Sequence, residues 1–120
     1  VLSTQHAPEW NDRQRALTQI RKWAQSENFH LRRLASEGLR PRLPWAAKLD
    51  TFVADPTPVF AILELLKEDP VKFVKKSVAN HLTDYLKVNP AAARPLIARW
   101  NSSRNEHTRW IVKHATRKYR

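Results

Sequence analysis

The chain has 120 residues, 22 Lys plus Arg against 11 Asp plus Glu, a formal net charge of +11, one glycine, eight prolines and no cysteine. A single glycine excludes a Walker loop and a dinucleotide fingerprint, which need several glycines for backbone to approach phosphate. The absence of cysteine excludes disulfides, thiolate zinc sites and cysteine nucleophiles. The length suits one domain, and the excess positive charge points to a polyanionic partner, nucleic acid before an anionic membrane.

Glycine scarcity and 42% apolar content favour helix, and apolar residues recur at spacings of three and four with no sustained alternation. Pro8 is expected to open a first helix carrying Trp10, Leu17, Ile20, Trp23 and Ala24 on one side. A second helix is expected from about Asn28, with Leu31, Leu34, Ala35 and Gly38 as its stripe. Pro41 and Pro44 break it within residues 40–45. A short helix follows to about Ala54. Asp55 with Pro56 starts the next, through Phe60, Leu63, Leu65 and Leu66. Asp69 with Pro70 starts another, carrying Val71, Val74, Val78, Leu82 and Leu86. Asn89 with Pro90 opens the sixth, and Asn105 caps the last. The longest apolar stretch, near residues 59–66, is far short of the roughly 20 residues that span a bilayer. No secretory signal pattern is present, and a cytoplasmic location is expected.

Three stretches align: LRRLASEGL from Leu31, VKKSVANHL from Val74 and TRWIVKHAT from Thr108, offset by 43 and 34 residues. Each has a basic residue second: Arg32, Lys75 and Arg109. HEAT-type repeats run about 40–47 residues with two helices each. Such a unit cannot bury its apolar face alone, so neighbours stack. The expected fold is an all-α, HEAT-like α–α superhelix of about three helical pairs with a basic concave face, in a single domain over residues 1–120. With Val1 in place of an initiator methionine, the chain is expected to be a fragment of a longer solenoid.

The acids are unevenly placed. Residues 50–69 hold five acids and one lysine. Between Asn28 and Leu49 the sole acid is Glu37, among Arg32, Arg33, Arg40, Arg42 and Lys48. Between Pro70 and Asn105 it is Asp84, with Lys72, Lys75, Lys76 and Lys87 around it. At 100° per residue, Asp84 falls about 120° from the centre of the Val74–Val78–Leu82 stripe, so it is expected to point away from the core with Ser77, Asn80 and Lys87. A carboxylate on a phosphate-binding surface repels DNA and needs a reason. One is a salt bridge, Arg33 with Glu37 or Asp84 with Lys87. The other is a carboxylate that stabilises positive charge developing on a nucleic-acid substrate, or orients a water at it.

Trp10, Trp23 and Trp100 have core spacing. Trp110 lies beside Arg109, Lys113 and Arg117, and Trp45, ending a two-proline loop, either packs into the fold or presents its ring face to a sugar or base. Ser77, His81 and Asp84 lie along one helix with no oxyanion turn, which argues against a catalytic triad. His107 and His114 lack a third ligand, so neither metal nor cofactor is expected.

HLRRLASEGLRPRLPWA (residues 30–46), SVANHLTDYLK (77–87) and NEHTRWIVKHATR (105–117) together resemble the HEAT-like alkylpurine DNA glycosylases, the AlkC branch more than AlkD. The similarity spans about residues 27–117. It implies a solenoid that holds double-stranded DNA as a monomer and hydrolyses the N-glycosidic bond of alkylated bases such as 3-methyladenine, without full base flipping. By resemblance, Asp84 is the catalytic aspartate, Glu37 the active-site glutamate and Trp45 the tryptophan near the lesion deoxyribose. Arg109, Lys113 and Arg117 belong to the DNA-backbone contacts. Arg32, Arg33, Arg40, Arg42, Lys75, Lys76, Asn80, His81, Trp110 and His114 complete the expected DNA-binding set. Leu39 stands where a small polar residue is expected, and Asn80 and His114 stand where AlkD carries tryptophans. A further carboxylate of the family, on an earlier helix, has no counterpart here. Known members are longer, so the chain alone is expected to be inactive. Two other functions fit the sequence: a non-catalytic HEAT-like DNA-binding module, and a scaffold whose acidic 50–69 region meets protein partners.

Overall fold

Asparagine side chains set three of the helix starts. In the computed structural model, which describes residues 2–41 and 50–119 with side chains at 12–41 and 52–119, Asn28 Oδ1 accepts from the His30 amide at 2.9 Å and opens α2, Phe29–Glu37. Asn89 Oδ1 accepts from the Ala92 amide at 3.3 Å and opens α6, Pro90–Asn101. Asn105 Oδ1 accepts from the His107 and Thr108 amides at 2.9 and 3.2 Å and opens α7, Glu106–Ala115. Each cap satisfies amides that have no intrahelical acceptor. The other helices are α1, Leu2–Ala24, α3, Asp50–Ala54, α4, Thr57–Leu66, and α5, Lys72–Val88. A 3₁₀ turn, Arg117–Tyr119, follows α7. No strand occurs among the described residues.

Two starts differ from expectation. α1 begins at Leu2, so Pro8 lies inside it. Pro8 is the seventh residue of the helix, past the first turn, so it costs one i→i−4 hydrogen bond, that to the Thr4 carbonyl. α5 begins at Lys72, because Asp69 Oδ1 takes the Val71 amide at 3.0 Å and turns the chain before the helix starts.

The helices form three pairs, α1 with α2, α4 with α5 and α6 with α7. α2, α5 and α7 lie side by side in one layer, with α1, α4 and α6 behind them. The three aligned sequence stretches are these second helices, and the all-α, HEAT-like reading holds. The molecule measures 51 × 32 × 25 Å, elongated as stacked pairs require. Val59, Ile62, Leu63 and Leu66 of α4 are fully buried against Val74, Val78 and Leu82 of α5, each contributing about 1.5–3 kcal/mol. Trp100 is buried as expected and donates its Nε1–H to Glu64 Oε1 at 2.6 Å. Trp23 packs half-buried on the core.

α5 has neighbours on every side but one. α2 and α7 flank it, and α4 and α6 lie beneath. Its polar flank is therefore covered, and Ser77, His81, Thr83 and Asp84 are buried along with its apolar stripe. Polar bonds tie it to the other repeats: Thr83 Oγ1 donates to the Ala115 carbonyl at 2.8 Å and Tyr85 Oη to the Phe52 carbonyl at 3.1 Å. Among the described residues no helix is long and apolar enough to cross a membrane.

Candidate functional site

The two isolated acids meet on the seam between α2 and α5, joined by one guanidinium. Arg40, just past the C-terminus of α2, donates from Nε to Asp84 Oδ2 at 2.7 Å and from Nη2 to Asp84 Oδ1 at 3.4 Å. Its Nη1 donates to Glu37 Oε1 at 3.0 Å, and the Ser77 hydroxyl donates to the same oxygen at 2.9 Å. Arg33 stands 3.8 Å from Glu37 Oε2. Burial works against the Arg40 charge, but Asp84 and Glu37 outweigh it and raise its pKa above the ordinary arginine value. The result is a permanent cation holding two carboxylates in fixed positions. Asp84 is 8% exposed. It points to α2 rather than out to solvent with Lys87, because the parallel packing of α2 on α5 brings Arg40 over it. The expected Arg33–Glu37 pair is present.

Several expected DNA contacts have other duties. Arg40 is 8% exposed and committed to the carboxylates, so it is not a phosphate ligand in this arrangement. Arg32 donates from Nε to Asp69 Oδ2 at 2.6 Å and from Nη1 to the Ser26 and Glu27 carbonyls at 3.0 Å, which pins α2 to the α4–α5 loop. His81 is fully buried, with Nδ1 3.3 Å from Ser36 Oγ and its ring stacked on Tyr85 at 5.5 Å. It cannot touch DNA. Burial first, and the Arg40 charge second, push its pKa down to about 3, so the ring is neutral. Arg42 and Trp45 lie outside the described residues.

The remaining basic residues gather between α5 and α7. Lys76, Arg109, Lys113 and Arg117 are exposed, and Lys75, Asn80, Trp110 and His114 are half-buried. Trp110 and His114 stack at 4.9 Å with 6° between their planes. Lys75 Nζ sits 4.9 Å over the Trp110 ring and 3.2 Å from His107 Nδ1. An ammonium can only donate, so His107 Nδ1 is an acceptor there. Trp110, Lys113, His114 and Arg117 line a cavity of about 320 Å³. Arg109 turns instead toward a cavity of about 840 Å³, with Leu86, Arg94, Ile97 and Tyr119. Lys72, left out of the expected DNA contacts, lies one turn before Lys76 on α5, a spacing that marks it as part of the same basic face. No group of three or more His, Asp or Glu side chains converges as metal ligands do among the described residues.

The fold is a layer of helical pairs, with the Asp84–Arg40–Glu37 cluster beside a basic, aromatic face. The model of the DNA alkylation repair enzyme family matches residues 6–119, and the chain belongs to that family. It is similar to the Pseudomonas fluorescens alkylpurine DNA glycosylase AlkC, solved bound to DNA containing an abasic site analogue. The two are 49% identical with a TM-score of 0.79, over 90% of this chain and 30% of that one. A Bacillus subtilis (strain 168) protein described as uncharacterized, YhaZ, is 44% identical over 106 residues, 88% of this chain and 29% of its own length. The chain therefore spans under a third of the length of these relatives. The resemblance to the AlkC branch rested on three motifs, and the family match and the AlkC likeness bear it out.

Proposed function

We propose that this chain is the carboxylate-bearing part of a DNA glycosylase that removes cationic alkylated bases of the 3-methyladenine type from duplex DNA. The single observation that carries this is the Asp84–Arg40–Glu37 cluster beside the basic α5–α7 face. An alkylated purine carries positive charge and leaves with the electron pair of its glycosidic bond, needing no acid. The deoxyribose becomes an oxocarbenium, a water oxygen bonds to the anomeric carbon, and the water proton passes to carboxylate or solvent. Preformed negative charge at the sugar stabilises that cation without reorganisation.

The hydrogen bonds support a division of roles. Arg40 occupies one lone pair on each Asp84 oxygen, leaving the others to face the sugar and to orient water. Glu37 Oε1 takes both Arg40 and Ser77, so Oε2, 3.8 Å from Arg33, assists. Trp45 packs against the deoxyribose, and Lys76, Lys113, His114 and Arg117 hold backbone phosphates. Neither full base flipping nor a cofactor is needed. The reading includes action as a monomer in the cytoplasm.

One observation favours a second reading. Asp84 is already neutralised by Arg40, as in a brace between repeats of a non-catalytic DNA-binding module. Base release from methylated duplex by the intact protein and by Asp84→Asn separates the two: release that is lost in Asp84→Asn supports the glycosylase, and duplex binding with no release by either protein supports the module.

A further inference from the structure

His114 lies in unusual surroundings. Its ring is flat on Trp110, and Arg117 Nη1 donates to its carbonyl at 2.6 Å, which keeps the guanidinium close to the ring. The charges acting on it from α5 are Lys76 and Lys72, and from the 3₁₀ turn Arg117. No carboxylate is among them. Asp84 is paired with Arg40, and Glu106, at the other end of α7, stands 3.7 Å from His107. On α6, Arg94 opens onto the other cavity and Arg99 donates to Glu64 at 2.9 Å. Desolvation, then Arg117, Lys76 and Lys72, lower the pKa of His114 below the ordinary imidazole value. In the free protein the ring thus stands among cations that disfavour its protonation.

We propose that the cavity between Trp110, Lys113, His114 and Arg117 is a phosphodiester site in which His114 takes up a proton as the phosphate enters, which couples DNA binding to pH. A phosphate brings the negative charge that this cluster lacks and reverses the field that disfavours protonation of the ring. The imidazolium then donates to a phosphate oxygen, while the Trp110 face favours the cation stacked on it. The phosphodiester itself does not titrate near neutrality, so a proton counted on binding belongs to the protein. This inference rests on the DNA-binding part of the proposed function.

The test is an NMR titration of the His114 imidazole in the intact protein, free and saturated with a short unmodified duplex at low salt. It is paired with duplex affinity as a function of pH. The His114 midpoint is expected to rise by about one pH unit or more on binding. Affinity should strengthen by up to about tenfold per pH unit lowered between the two midpoints. His114→Gln should lose that dependence, and Lys76→Gln should raise the free midpoint by removing one repelling charge. An unchanged midpoint, or a pH dependence that survives in His114→Gln, overturns the inference and leaves the glycosylase reading standing. No duplex binding at any pH overturns both.

Discussion

Arg40 and Asp84, 44 residues apart, form a two-point ion pair at 2.7 and 3.4 Å that closes the seam between the first two repeats. The third donor of the same guanidinium takes Glu37. Both carboxylates are thus held by one group whose charge does not change with pH.

Removing that group strands two poorly solvated carboxylates. Arg40→Met should lower stability by about 3 kcal/mol, the usual consequence of breaking one side of a buried pair. Arg40→Lys should recover only part of this, since an ammonium cannot make the planar two-point contact. Urea midpoints of the three proteins measure the order.

Arg32 and the α5 lysines look alike in sequence but should separate by experiment. Arg32 is bound to Asp69 and two carbonyls, so Arg32→Gln should lower the urea midpoint and leave the salt dependence of duplex binding intact. Lys72→Gln and Lys76→Gln should leave the midpoint nearly unchanged. Each should reduce the slope of log affinity against log salt by about one.

His81 makes the fold sensitive to acid. Its pKa falls from 6.5 to about 3 on folding, so between those values the unfolded chain binds more protons. The stability it contributes is complete above about pH 6.5 and lost as pH falls, at up to about 1.4 kcal/mol per unit, or about 2 kcal/mol by pH 5. His81→Phe keeps a ring on Tyr85 and cannot titrate. Between pH 7 and 5 the native protein should lose about 2 kcal/mol of stability relative to His81→Phe.

The local part of this structure was legible in the sequence. Asn28, Asn89 and Asn105 cap helices through amides two or three residues away, and the three aligned stretches became the α2–α5–α7 layer. The Asp84 partner was not legible. Spacing along one helix offered Lys87, whereas Arg40 arrives from another repeat, and only packing shows that. His81 could have been placed correctly, because it lies seven residues after Val74, on the buried stripe. Arg32, at the core spacing from Ala35 and Leu39, carried the same signal. In both cases the helical period marks a core-facing position, buried for His81 and half-buried for Arg32, where the basic residue type alone suggests a DNA contact.

In the proposed reaction Asp84 supplies negative charge to the reacting sugar. Release of methylated purine from duplex DNA should be compared for the intact protein and Asp84→Asn at equal, saturating enzyme, with duplex affinity measured alongside. Asparagine still accepts one Arg40 bond but carries no charge. Release by Asp84→Asn should be slowed by on the order of 10²–10³-fold with affinity unchanged or slightly stronger. Equal release rates from the two proteins would contradict that role for Asp84.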